Sequence, residues 1–333
     1  MVSYKIVNAN NESLRQAGPG LTAVFVGATN GIGLGALRAF IKYADAPTVY
    51  LVGRSAPRLK AIINELKGIN GSATVIPVQA QDLTLVKDAQ KAAEEIAQQA
   101  KKVDLLIMSP GYLSLSRHES PEGLDRVTAI RFYARMRFLI TLAPLLRAAP
   151  APRIVTVLAG GSEGPLWLDD LPLKEHYSIV KAAGAACSMT TLFLEEFARQ
   201  PGNEKMAFAH TYPGAVGDTG LSLADAGPIL SFFISWVLTP LMRLAGYTST
   251  EAGARVIFAA TSGQFARAES GVSTDEGVVQ KGSDGKTGSG VYLVGADSRA
   301  LTGNKVLNQL RDSGAGPKVY EHTLEQLDRI SQL

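Results

Sequence analysis

A chain of 333 residues, 46% of them hydrophobic, can bury a full core, and its one cysteine, Cys187, excludes an internal disulfide. The formal net charge of +3 is small and the basic residues are scattered, which argues against nucleic acid as a partner. The four histidines lack metal-ligand spacing, and the opening MVSYKIVNANNESLRQ lacks a secretory pattern, so a metal-free cytoplasmic protein is expected.

Residues 1–19 read as an N-terminal extension. LTAVFVG (21–27) is a predicted strand, and NGIGLGALRAFIKYA a turn opening a helix. TVYLVG (48–53) and ATVIPVQ (73–79) are further strands, each followed by a helical pattern, near 56–68 and 84–101. VDLLIMS (103–109), RIVTVL (153–158) and KMAFAHTY (205–212) continue the series, with helices near 121–148 and 176–199 between them. Near-continuous apolar strands imply a parallel sheet covered on both faces, and the alternation implies one doubly wound α/β domain of about seven strands.

Two stretches break the rhythm. The segment 218–247 holds a strongly apolar run with Phe232, Phe233, Trp236, Leu238 and Met242, interrupted by Pro240 and Arg243. It reads as a lid over an apolar or aromatic substrate, with a membrane-lying segment as the rival; Pro240 argues against a true span. SGVSTDEGVVQKGSDGKTGSG (270–290) reads as a surface loop, and VYLV (291–294) as a last strand before a terminal helix.

Gly27, Gly31 and Gly33 follow the first strand with the spacing G-x-x-x-G-x-G. A tight turn there lets the backbone approach a pyrophosphate, with the positive end of the next helix aimed at it. Later, Tyr177 and Lys181 stand four apart in YSIVK, a spacing that would place both on one face of a helix. Together these pieces resemble the short-chain dehydrogenase/reductase superfamily over roughly residues 20 to 220, and the C-terminal VYEHTLEQLDRI is similar to that of fungal members from natural-product pathways.

The resemblance implies a nicotinamide cofactor held by Gly27, Thr29, Asn30, Gly31, Ile32 and Gly33, with Tyr177 and Lys181 at its reactive end. Asp82 and Leu83, in QDL, match the segment that contacts the adenine. Ser109 and Gly111, in DLLIMSPG, stand where the family usually reads D-x-L-V-N-N-A-G, and Pro213, in YPGAVGDT, matches the segment passing the nicotinamide ribose. After the second strand, where readers of NAD carry an acid, this chain has Arg54, Ser55 and Arg58. A guanidinium can pair with a 2′-phosphate, so NADP(H) is expected; a solvated loop arginine is the plain alternative.

The chemistry departs from the pattern at two places. Tyr177 would donate a proton to a substrate oxygen, with the Lys181 ammonium lowering the phenol's pKa. The serine that polarises the carbonyl in the family aligns with Ala159, which cannot donate; Ser162, three residues on, either folds back across Gly160 and Gly161 or serves a turn. The asparagine of the preceding helix aligns with Arg131. His176 reads as exposed or structural, and Asp169 and Asp170 as substrate contacts or a turn.

Three functions fit these features. One is NADPH-dependent reduction of a carbonyl or enone on a bulky, apolar, secondary-metabolite-like molecule. The others are a non-redox isomerase or cyclase, and a cofactor-binding regulatory protein. Homo-oligomers through the helices near 121–148 and 176–199 are implied by the resemblance, with Arg126, Arg131, Arg135 and Arg137 placing positive charge on the first.

Overall fold

A computed structural model describes residues 1–218, 223–225, 227, 246–267 and 278–333 of the chain. The apolar runs form parallel strands: β1 (Thr22–Val26), β2 (Thr48–Gly53), β3 (Thr74–Gln79), β4 (Leu105–Met108), β6 (Arg153–Val157), β7 (Ala207–Thr211) and β9 (Val291–Val294). With the antiparallel edge strand β10 (Ala300–Leu301), the spatial order is β10-β9-β7-β6-β4-β1-β2-β3. The order reverses between β1 and β4, which opens a crevice beyond their carboxyl ends, where such sheets bind ligands. A short parallel pair, β5 (Leu113–Ser114) with β8 (Leu223–Ala224), lies apart from the main sheet.

Alternate residues of each strand face opposite helical layers. Val24, Val52, Leu106 and Met108 meet Phe132, Leu139 and Phe193, which come from the layer of α4 (Val86–Gln99), α6 (Ala134–Arg147) and α7 (Ile179–Ala198). Phe25, Leu51, Ile107 and Val155 meet Leu37 and Phe258, which come from the layer of α2 (Gly31–Tyr43) and α8 (Ser249–Thr261). The helix α3 (Ala56–Ile69) completes that second layer with Leu59, Ile62 and Leu66.

The helix expected near 121–148 begins later and is not uniform. A first turn, α5 (Arg126–Thr128), capped by the Asp125 carboxylate, runs into a π-helical turn (Ala129–Tyr133) and then into α6. The positive face expected on it is largely consumed within the chain. Arg126 donates to Asp82 and Thr84, Arg135 lies in the core, and Arg137 donates to Leu327 O and Ser331 Oγ. The last two acceptors belong to the C-terminal helix α10 (Ala315–Ser331), which follows α9 (Lys305–Asp312) and packs along α7. His322 of α10 bonds the Tyr133 hydroxyl at 2.8 Å. The chain's own tail thus covers part of the helix pair on which the resemblance would place subunit contacts.

The N-terminal extension is also structured. Its helix α1 (Tyr4–Glu12) packs on α8, where Asn10 and Asn11 bond Thr261 Oγ1 and Ala254 O. The second half of the polar segment 270–290 is tied down rather than loose: Ser283 is buried and donates to Glu195 Oε1 at 2.6 Å. Of the expected lid, residues 219–222, 226 and 228–245, with Phe232, Phe233, Trp236, Leu238 and Met242, lie outside the described residues, as do 268–277. No helix among the described residues is long and apolar enough to cross a membrane.

α2 and α8 approach at Gly35 and Gly253, where a Cβ on either residue would run into the other helix's backbone. Gly68, exposed near the end of α3, has open space around it. Gly253→Ala is therefore expected to destabilise the fold by about 2 kcal/mol or more through overpacking. Gly68→Ala should stabilise it by about 0.5–1 kcal/mol. Chemical denaturation of the two variants beside the parent checks both signs.

Candidate active site

The turn between β1 and α2 is built for close approach. Gly27 and Gly31 take positive φ (78° and 51°), a region that side chains strain to enter. A Cβ on Gly27 would stand 2.6 Å from the Pro110 nitrogen, and one on Gly33 would collide with the Ser109 hydroxyl. Ser109 Oγ itself donates to Gly27 O at 3.2 Å, so the loop after β4 is stitched to the glycine turn. Asn30 occupies the N-cap position of α2, whose first N–H groups open onto this cradle, with Ile32 half-buried beneath. Backbone amides, a helix N-terminus and absent side chains fit a pyrophosphate.

At the end of β2, Thr29 packs its methyl against Gly53, and Arg58 Nε donates to Thr29 O at 3.3 Å. Ser55 caps α3 by accepting from Arg58 N, and Arg54 is exposed beside it. Two cations and a hydroxyl thus stand just beyond the carboxyl end of β2, with no acid among residues 54–58. Asp82 is more occupied than expected: its carboxylate accepts from Thr84 N and Arg126 Nη1, at 2.9 and 3.0 Å, while Leu83 is buried beneath. Pro213 and Gly111 border the crevice at the carboxyl ends of β7 and β4.

Tyr177 and Lys181 do not share a helical face. Ser178 takes extended backbone and caps α7 by accepting from Lys181 N, so the helix starts at Ile179 and Tyr177 lies outside it. The Lys181 ammonium sits 4.8 Å from the centre of the Trp167 ring, a cation–π contact. The Tyr177 hydroxyl donates instead to Ser116 O at 3.3 Å. Burial pushes its phenol above the ordinary value, Asp125 adds to that, and the Arg131 guanidinium works against it. The cations acting on Tyr177 are therefore Arg131 first and Arg117 after it, rather than Lys181.

The strand β6 delivers Ala159 to the sheet edge. Beyond it, Ser162 N donates to Ala159 O at 2.9 Å, closing a turn through Gly160 and Gly161. A Cβ on Gly160 would strike His210 O, and Gly161 takes φ 99°. Ser162 is exposed and its hydroxyl makes no hydrogen bond among the described residues, so it serves the turn. Asp170 likewise shapes a turn, accepting from three backbone N–H groups and from His176, whose ring stacks on Trp167 at 5.2 Å.

Behind Ala159 lies a buried polar layer that the sequence did not announce. The Cys187 thiol is buried close to Ala159, and burial pushes it up to about 12. Arg135 donates to Pro110 O, Val157 O and Thr156 Oγ1, and burial pushes it down to about 9. Thr191 Oγ1 links Glu163 to His210 Nδ1, each at 2.9 Å, and Asn304 completes the Glu163 carboxylate at 2.6 Å. His210 Nε2 has no partner among the described residues, and burial pushes the ring down to about 3. No group of three metal-ligating side chains gathers among the described residues.

A dinucleotide cradle at the switch point, with a tyrosine over the same crevice, defines a nicotinamide-dependent oxidoreductase of the Rossmann type. Residues 21–222 match the family model described as short chain dehydrogenase, and the chain belongs to that family. An oxidoreductase of Emericella nidulans is 36% identical over 99% of both chains. A short-chain dehydrogenase/reductase of Stachybotrys chartarum is 29% identical, covering 100% of this chain and 98% of its own. Among solved structures, L-sorbose reductase from Gluconobacter frateurii, complexed with NADPH and L-sorbose, superposes with a TM-score of 0.54 at 20% identity, over 73% of this chain and 90% of that one.

His210 carries a pH signature. Unfolded, its ring takes a proton near its ordinary value of 6.5; folded, it resists until about 3. Its contribution to stability is complete above pH 6.5 and is lost as pH falls from there toward 3. Thermal unfolding followed between pH 7 and pH 4 should show this fall, and His210→Gln should flatten it.

Proposed function

We propose that the protein reduces a carbonyl or enone on a bulky, apolar, natural-product-like molecule at the expense of NADPH. The observation that carries this reading is the pairing of two ends of one crevice. The glycine cradle and the Arg54–Ser55–Arg58 edge suit a phosphorylated dinucleotide, and Tyr177 stands where a substrate oxygen would meet it. That full-length fungal relatives carry oxidoreductase names, and that a fold neighbour binds NADPH, supports the same reading.

When bound, the cofactor supplies the hydride. Tyr177 donates its phenolic proton to the oxygen, and its present bond to Ser116 O is the one a substrate would replace. Lys181 on Trp167 fixes the edge of the pocket rather than the acidity of the phenol. A single buried cysteine suits a reducing, cytoplasmic location.

Tyr177→Phe is expected to lower turnover about 10³-fold with NADPH affinity unchanged, whereas Ser162→Ala should cost less than about tenfold. Following NADPH absorbance over a panel of aromatic and polyketide-like ketones measures both. Product formed without NADPH consumed would replace the reading with a non-redox isomerase.

Arg54→Asp should weaken NADPH binding about tenfold or more while leaving NADH binding within a few-fold. Equilibrium titration of both cofactors decides it, and equal losses would reject the phosphate assignment.

A further inference from the structure

Among the described residues, Arg131 is a cation with no hydrogen-bond partner. It belongs to the π-helical turn (Ala129–Tyr133), a distortion frequent at functional sites. Half-buried, its guanidinium makes no hydrogen bond among the described residues, and none of its nitrogens is fully buried. Three other arginines of this region are engaged: Arg126 by Asp82 and Thr84, Arg117 by Glu119, Arg135 by the carbonyls of Pro110 and Val157 and by Thr156. The nearby Asp125 carboxylate does not answer Arg131, because it accepts from His118 N, Thr128 N and Thr128 Oγ1.

Its position is informative. A Cβ on Gly111 would stand 3.8 Å from Arg131 Cγ, so the side chain passes the loop that leaves β4. Tyr177, Tyr112 and Cys187 lie within its electrostatic reach, and Cys187 is itself influenced by Ala159. The guanidinium therefore belongs to the space shared by the phenol and the position that lacks a serine. A desolvated guanidinium left unpaired is costly, and its planar fork matches two oxygens carrying negative charge.

We propose that Arg131 receives the substrate's oxygens, donating in parallel to a pair of them, so that the preferred substrates are keto acids, or 1,3-dicarbonyls reduced in their keto form, rather than isolated ketones. The proposal rests on the reductase reading and deepens it. Arg131 keeps its proton throughout; it holds charge on the oxygens while Tyr177 supplies the proton. It thereby does the work of the donor missing at Ala159.

The test is binding of a dead-end pair, 2-naphthoate and its neutral counterpart 2-naphthamide, by calorimetry with and without saturating NADPH. The parent should bind naphthoate more tightly. Arg131→Gln should weaken naphthoate at least about tenfold and naphthamide less than about threefold. Arg131→Lys, which keeps the charge but not the fork, should fall between and serves also if the glutamine variant fails to fold. Equal affinities in the parent, no naphthoate binding at millimolar concentration, or equal losses for both ligands would overturn the proposal. Failure of the reductase reading looks different: NADPH would not bind or be consumed, while naphthoate binding still depended on Arg131.

Discussion

One guanidinium holds the site's framework together. Arg135 is 1% exposed, and it reaches from α6 to Met108 O, Pro110 O, Val157 O and Thr156 Oγ1. These acceptors lie at, or just beyond, the carboxyl ends of β4 and β6, two neighbouring strands at the crevice. Carbonyls at strand ends have lost their ladder partners, and an apolar residue at 135 would leave them buried and unpaired. The arginine is thus a substitute for sheet hydrogen bonds where the sheet stops. It fixes the path of the loop through Pro110 and Gly111, and so the wall beside which Arg131 and Tyr177 stand.

This explains how a catalytic pattern could lose two members and still keep its shape. At Ala159 there is no hydroxyl, yet the backbone remains tied, its carbonyl accepting from Ser162 N in the turn. Where the family carries an asparagine, the π-helical turn presents an arginine instead. The positive charges acting on the phenol belong to Arg131 and Arg117 rather than to the start of α7.

Legibility followed the nature of the constraint. The glycine turn was readable because Gly27, Gly31 and Gly33 answer a backbone requirement that no other residue meets. The strands were readable because burial on both faces forces apolar runs such as TVYLV. Tyr177 and Lys181 were misplaced on one helix because spacing alone ignores capping; Ser178 between them is a strong N-cap residue and was the available signal. The arginines at 126, 135 and 137 looked like a charged surface. Their partners are carbonyls, hydroxyls and carboxylates brought in by tertiary structure, some from the far end of the chain. The Glu163–Thr191–His210 chain was hidden for the same reason, each member coming from a different element.

The docking of α1 on α8 bears on how the protein is made. Asn10 and Thr261 are bonded partners 251 residues apart, and α2 waits for the same late helix to cover Gly35. On the ribosome, the first βαβ units emerge with one apolar layer still unroofed, and they remain so until nearly the whole polypeptide has been synthesised. Contacts of such sequence separation slow folding and prolong exposure of sticky surface. Yield in a foreign host is then governed by chaperone supply and translation speed more than by the stability of the finished molecule.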